Sequence, residues 1–411
     1  MVRLCIRVAL LLCVFLACPG NSVSLPRRQF VQLTGIHLDP HYQAGSPATC
    51  RMGLLGLPCC RASSTPVPGG EKLRKAGPYG DFNCDSPYGL VKAAIQTIGA
   101  MDLDFVLDHG DRVGHHLLDQ SFDRNMEVVA NTSRLMTSLL TPPIFPTIGN
   151  HDTWPIDQWP DAPYTRDLTS RLAEGLFPQG APPSFLKGGY YSTLLPFGSS
   201  PPIRLVVLCT LWDDTNNLMK LDSGPANQRN WLTQTLSASE QAGEVVWLTA
   251  HVYPSSTEAT QEWRDFMVAT LQRFNTTIRY QFYGHTHLDD FLVFSTKRNA
   301  AWMPGSIVPF QDHQPSFRVY EWDPESGSIL DYVEWRASIG AASLKFQPAY
   351  RASTTFGLGS MEGSAWYTLW ERMHTNTSLF DAWWQVHLSG NPSHQPCDTQ
   401  CQSTMLAERH L

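Results

Sequence analysis

The chain has 411 residues, 42% of them hydrophobic and 16% charged, with 13 tryptophans. That length and apolar content build a large core, as one big α/β domain or two domains, and exclude an intrinsically disordered chain. A formal net charge of −7 leaves no basic footprint for nucleic acid.

Residues 1–24 read as a secretory signal: Arg3 and Arg7 give a positive start, 8–17 an apolar run, and Ser22-Val23-Ser24 small residues for cleavage. The apolar run falls short of the roughly 20 residues a membrane span needs. No later stretch is long and apolar enough to cross a bilayer, and the mostly polar 405–411 is no lipid-anchor tail. Three of the ten cysteines leave with the signal. The remaining seven predict two disulfides among Cys50, Cys59, Cys60 and Cys84, whose pairing the sequence leaves open. A third joins Cys397 to Cys401, and Cys209 stays free within the apolar run 205–209. A zinc knuckle at the first cluster would want a Cys-x-x-Cys pair, which is missing there. Asn131, Asn275 and Asn376 each open a glycosylation sequon, in keeping with export.

Residues 29–36 alternate as a strand and deliver Gly35, His37 and Asp39 to its end. A Pro/Gly/Cys-rich insertion covers 45–80, and 87–100 has helical spacing with proline at its start. The apolar strand 103–107 ends at Asp108-His109-Gly110-Asp111, followed by His115-His116. A long helix over about 119–140 leads to the strand 143–146 and the turn Gly149-Asn150-His151-Asp152. Residues 153–188, rich in Trp, Pro and Asp, predict surface helix and loop over that turn. Strands follow at 189–195, 203–210, 245–250 and 278–283, with helices at 227–241 and 258–274. The strands 291–294, 317–322 and 329–335 look antiparallel, and 364–387 is helical and aromatic-rich. Alternating strands and helices early, and strands late, predict an α/β fold of two facing mixed β-sheets flanked by helices. The expected division is a signal at 1–24, a catalytic domain at 25–338 and a small helical C-terminal subdomain with a disulfide at 339–411.

Five strand ends carry polar residues of one chemical kind: His37, Asp111, Asn150 with His151, His251, and His285 with His287. A histidine at one strand end is ordinarily a capped surface residue. Five such ends make a set, because open α/β sheets place ligands just beyond their strand ends. Imidazoles, one carboxylate and one amide oxygen suit zinc or another first-row metal better than calcium or magnesium. A carboxylate at the centre of the set can bridge two ions, as two-metal phosphoester hydrolysis requires.

The chain resembles the acid-sphingomyelinase-like phosphodiesterases of the calcineurin-like metallophosphoesterase superfamily. The resemblance rests on His37-Leu-Asp-Pro-His-Tyr42, Gly80-Asp-Phe-Asn-Cys-Asp-Ser-Pro-Tyr88, Gly110-Asp111 with His115, and Gly149-Asn-His-Asp152. It continues through Gly188-Gly-Tyr-Tyr-Ser192, Pro225-Ala-Asn-Gln228 with Trp231, Ala250-His251 and Tyr283-Gly-His-Thr-His287. No saposin-like domain precedes the match, so the similarity is to the shorter branch. The resemblance implies an αββα sandwich and two Zn2+ ions. His37, Asp111 and His287 would hold one ion, and Asp111, Asn150, His251 and His285 the other. His151 would protonate the leaving alkoxide or hold the phosphate, helped by His115. The implied activity is secreted or lysosomal hydrolysis of phosphodiester or phosphoanhydride bonds, in nucleotides or in phospholipid head groups at a membrane surface, by a monomer.

Two departures stand out. The family opens Asp-x-His with the Asp as a metal ligand, whereas this chain has Gly35 in Thr34-Gly35-Ile36-His37. Asp108-His109 also stands where the family usually has Trp-Thr. Gly35 predicts a weak first metal site, and it keeps open a metal-impaired binding relative beside the phosphodiesterase and a phosphomonoesterase on the same core.

Overall fold

The computed structural model describes residues 28–411 except 52, 54–56, 68–73, 160–161, 178–179, 219–223, 255–256 and 392–394. The expected signal at 1–24 lies outside the described residues. The strands are β1 (Arg28–Leu33), β2 (Phe105–Asp108), β3 (Ile144–Pro146), β4 (Tyr191–Leu194), β5 (Ile203–Val207) and β6 (Val245–Thr249). They continue with β7 (Ile278–Phe282), β8 (Asp290–Val293), β9 (Ala300–Met303), β10 (Ser316–Asp323), β11 (Ser328–Arg336) and β12 (Gln347–Arg351). The helices are α1 (Tyr88–Gly99), α2 (Phe122–Leu139), α3 (Ala162–Leu176), α4 (Pro183–Gly188) and α5 (Gly224–Gln241). After these come α6 (Gln261–Arg273), α7 (Ala352–Phe356), α8 (Gly363–Met373), α9 (Thr377–His387) and α10 (Thr399–Glu408).

The strands form two mixed six-stranded sheets, in the orders β12-β11-β10-β1-β2-β3 and β4-β5-β6-β7-β9-β8. Alternation along the strands decides which residues meet between them. In β5, Leu205 and Val207 face the other sheet, while Val206 turns outward with Leu208 to pack under α5 and α6. Trp247 of β6 and Tyr280 and Phe282 of β7 also point inward, whereas Val246, Leu248 and Ile278 join the outer layer with Trp263, Met267 and Leu271 of α6. From the first sheet Phe30 stacks between Phe105 and Tyr320, at ring-centroid distances of 4.6 and 4.7 Å, in the register that pairs those residues. Across the sandwich Phe30 meets Trp247 at 5.5 Å and the edge of Phe282 at 5.8 Å. Each such pair contributes about 0.5–1.5 kcal/mol beyond the area it buries, so this aromatic layer fixes how the sheets sit on one another.

The helix starts follow local chemistry. Pro87 precedes α1, the Ser121 hydroxyl accepts from Arg124 N at the start of α2, and Thr260 does the same for Trp263 N at α6. The four N-terminal cysteines pair as Cys50–Cys59 and Cys60–Cys84 around a small buried cluster, Cys397 joins Cys401, and Cys209 is free and buried.

Residues 339–411 hold α7 to α10 but are bound to both sheets. β12 extends the first sheet beyond β11. Past α10, Arg409 O accepts from Val293 N (2.8 Å) and Leu411 N donates to Val293 O (3.0 Å), covering the β8 edge. The Arg409 guanidinium pairs with Asp290 at 2.7 Å and lies over the Trp383 ring. Among the described residues no helix is long and apolar enough to cross a membrane.

Candidate metal centre

Parallel neighbours β1, β2 and β3 end together, and so do β6 and β7 of the other sheet. The loops that follow them carry all eight candidate residues. The turns are tight because the loops press on one another. A Cβ on Gly110 would lie 2.3 Å from Gly149 N, and one on Gly149 would lie 2.2 Å from the Asp111 carboxylate. Four of the candidates hold left-handed backbone: His37 (φ 40°), Asp111 (59°), His285 (74°) and His287 (60°). Each costs about 1–2 kcal/mol relative to ordinary backbone, and such strain gathers where a site constrains the chain.

Asp152 holds the two central loops together. Its Oδ2 accepts from Gly149 N (2.9 Å), Asp111 N (3.1 Å) and Arg112 Nη1 (2.8 Å), and its Oδ1 from Arg112 N (2.7 Å). Arg112 is fully buried and also pairs with Asp108, which gives the unusual Asp108 a structural partner. His109 donates from Nδ1 to Ala250 O (2.9 Å), while its own carbonyl accepts from His251 Nδ1 (2.5 Å). The Asp108-His109 departure thereby ties β2 to the loop after β6.

The ligand atoms converge as acceptors. His251 Nδ1 donates to a carbonyl, so its Nε2 is the atom left for the site, a lone pair when the ring is neutral, and it faces Asn150 Oδ1 at 2.9 Å and Asp111 Oδ2 at 3.1 Å. Asn150 Nδ2 donates to Asp157 Oδ1 (2.8 Å), which turns its oxygen toward the histidines. His285 Nε2 pairs with Glu258, leaving Nδ1 at 3.2 Å from Asn150 Oδ1 and 3.3 Å from His251 Nε2. On the other side His37 donates from Nδ1 to Val113 O (2.8 Å), and its Nε2 lies 3.0 Å from His287 Nε2 and 3.4 Å from Asp111 Oδ2. Lone pairs aimed at lone pairs are relieved by a cation between them, and N/O donors of this kind fit zinc. The residues present therefore fit a two-ion centre with Asp111 Oδ2 shared between its halves.

Electrostatics agree with a metal-type environment. Burial, followed by the charges of neighbouring histidines, holds His37 below its usual range and His151 and His287 well below theirs. Burial pushes the Asp111 carboxyl up, but His251 and His37 beside it outweigh that and keep it well below the carboxylate range. Burial likewise lowers His251, and the Asp111 charge more than reverses it.

Asp111, His115, Asn150, His151, His285 and His287 line a cavity of about 740 Å³, with His37 and His251 buried behind them. The stretch 153–188, expected to lie over the turn, contributes Ile156 and Asp157, and Asn216 lines the cavity as well. Tyr253, Glu258, Phe310 and Glu408 are among the further wall residues, from stretches the sequence reading did not connect with the site. Asp85 was also missed as a functional group. It is buried, accepts from His115 Nδ1 (2.6 Å) and N (2.7 Å), and sits in the quoted Gly80–Tyr88 motif, which was its signal. Gln228 and Trp231 of another motif are structural: Gln228 pairs its amide with Cys209 N and O, and Trp231 packs on Tyr190.

A two-sheet sandwich with a shared carboxylate between two histidine-rich halves defines a metallophosphoesterase, and residues 70–289 match the calcineurin-like phosphoesterase family. The chain belongs to that family. It is 28% identical over 398 residues to sphingomyelin phosphodiesterase A of Dictyostelium discoideum, covering 92% of this chain and 65% of that protein. To the sphingomyelin phosphodiesterase of Bos taurus it is 28% identical over 402 residues, covering 91% and 62%. It thus spans less than two thirds of both those relatives. It is also 28% identical over 433 residues to the cyclic GMP-AMP phosphodiesterase SMPDL3A of Rattus norvegicus, covering 96% of this chain and 94% of that one.

Proposed function

We propose that this chain is a secreted or lysosomal phosphodiesterase that works as a monomer with two zinc ions. His37, Asp111 and His287 bind one ion, and Asp111, Asn150, His251 and His285 bind the other. The observation that carries the reading is Asp111 Oδ2, which stands 3.4 Å from His37 Nε2 and 3.1 Å from His251 Nε2 and so belongs to both halves. Two divalent cations there supply Lewis-acid activation of water and of the phosphoryl oxygen. His151 works from the protein side. Its backbone N–H donates to Asp111 Oδ1 (2.9 Å), and its Nδ1 is buried with no partner, so nothing fixes its tautomer. It hydrogen-bonds the bound ester and passes a proton to the leaving oxygen.

The substrate is a small phosphodiester. Relatives named for sphingomyelin and for cyclic GMP-AMP share that bond type. No lysine or arginine is among the described residues lining the cavity, whereas Asp157, Glu258 and Glu408 are. That lining favours a diester whose unreacted part is neutral or cationic over a polyphosphate, taken from solution or from a membrane surface. The exposed sequon residues Asn131 and Asn376 leave room for glycans, in line with export.

The test is hydrolysis of bis-p-nitrophenyl phosphate, p-nitrophenyl phosphate, sphingomyelin vesicles and a cyclic dinucleotide, with zinc counted on the purified protein. Zinc-dependent diester turnover is expected, lost together with metal in Asp111→Asn and lowered roughly 10²–10⁴-fold in His151→Ala. Faster turnover of the monoester would make the chain a phosphomonoesterase. No turnover at any zinc concentration would favour the binding relative that Gly35 suggests.

A further inference from the structure

In the half of the site that follows β1, Asp111 and two imidazoles are the donors assigned so far. Gly35 adds none, and its missing side chain has been used sterically. A Cβ at Gly35 would sit 3.1 and 3.2 Å from the ring of His287 and 2.8 Å from the Ser306 Cβ. His287 leans into the volume that a side chain at 35 would need.

We propose that His115 is the missing ligand, so that the first ion is held by three imidazoles, His37, His115 and His287, with the Asp111 carboxylate. The ligand atoms of those three histidines lie within 4.8 Å of one another. The His115 ring stacks on His37, with centroids 3.9 Å apart and planes 24° from parallel. The sharper sign is how three of the four histidines assigned so far are anchored. A ligating imidazole characteristically gives its other ring nitrogen to a carbonyl or carboxylate, which fixes both tautomer and direction. His37 gives Nδ1 to Val113 O, His251 gives Nδ1 to His109 O, and His285 gives Nε2 to Glu258. His115 follows the same pattern: Nδ1 donates to Asp85 Oδ1 at 2.6 Å, and the backbone N–H holds Asp85 Oδ2 at 2.7 Å. Asp85 is itself buried, and it approaches so closely that a Cβ on Gly114 would lie 2.6 Å from its Oδ2. His115 is left with Nε2 as a lone pair at the cavity. His151, also close to His37 and Asp111, has no such anchor. The same geometry that makes His115 a ligand leaves His151 as the mobile proton group.

A site of three imidazoles and one shared carboxylate selects a borderline divalent cation such as zinc or cobalt over magnesium. This proposal rests on the metal-binding half of the proposed function, and its test separates the two. Apo protein is titrated with Co2+, followed by visible absorption and by counting bound metal. Native protein takes up two ions. His115→Ala binds one ion as before and the other at least about 100-fold more weakly, and added imidazole restores the second ion and its absorption bands. Asp85→Asn weakens one ion by roughly 10–100-fold, as loss of such an anchor does. His151→Ala keeps both ions. Two ions of unchanged affinity in His115→Ala overturn the proposal while leaving the two-metal site standing. Loss of an ion in His151→Ala and not in His115→Ala assigns the ligand to His151 and also overturns it. Should His115→Ala fail to fold, unchanged affinity in Asp85→Asn has the same force. No uptake of cobalt by native protein removes the metal reading altogether.

Discussion

Asp152→Asn is the substitution that most directly tests how the centre is held. The Asp152 carboxylate is fully buried and receives four N–H groups, three on Oδ2 and one on Oδ1. An asparagine amide can keep its oxygen at the three-donor position only by turning its NH2 toward Arg112 N. One backbone donor then loses its partner, and the buried Arg112 loses one of its two counter-charges. An unsatisfied buried donor costs about 1–3 kcal/mol, and breaking a buried ion pair from one side about 3–5 kcal/mol. The two descriptions overlap, so a loss of about 3–5 kcal/mol is expected, a large part of the roughly 5–15 kcal/mol that keeps a protein folded. Urea denaturation of the metal-free protein should show a lower midpoint with an unchanged slope. Metal affinity should fall as well, because the freed N–H group belongs to Arg112, next to Asp111, and the Gly149 and Asp111 N–H groups keep only a neutral amide oxygen in place of a carboxylate. A loss below about 1 kcal/mol with metal binding intact would show that something other than Asp152 locks these loops.

Gly35→Asp alone should tighten the first ion little, because its Cβ meets Ser306 at 2.8 Å from a left-handed backbone (φ +57°). Gly35→Asp with Ser306→Gly should tighten it in a zinc titration, and a gain from the single substitution would refute the steric account. Burial raises Asp214 to about 6. The folded state therefore holds a proton that the unfolded chain releases near 4, and stability from this group is present below that range and lost as pH rises through about 6. Asp214→Asn, neutral throughout, should lose less stability between pH 4 and 7 in matched urea melts; an identical slope to native would contradict the assignment. Burial also pushes the Cys209 thiol up, so secreted protein without residues 1–24 should show no reactive thiol when native and one when denatured. Seven thiols would contradict the disulfides.

The site was legible because its ligands stand two to four residues beyond apolar strands, where hydrophobic runs stop and polar residues begin. His37, Asp111, Asn150, His251 and His285 were all found that way. What stayed hidden lacked such a boundary. β12 carries Pro348 and is largely exposed, as an edge strand can be, and β9 is four buried residues with no alternation. Asp85, Glu258 and Glu408 reach the site through tertiary packing, and nothing in the residues around Glu258 or Glu408 marks them. Gly35 was read as a loss. The structure adds that the vacated space is filled by the ring of His287.

The ligands are divided between the two sheets: His37, Asp111 and Asn150 follow strands of one, while His251, His285 and His287 follow strands of the other. With ions bound as proposed, the centre is a staple across the sandwich, and the aromatic layer of Phe30, Phe105, Tyr320, Trp247 and Phe282 is the gauge block that sets its gap. A methylene added to or removed from that layer shifts the two jaws before it touches any ligand. The spacing between the two groups of ligands is therefore set in the middle of the protein, and a substitution at Phe30 or Trp247 would reach the metal centre through it.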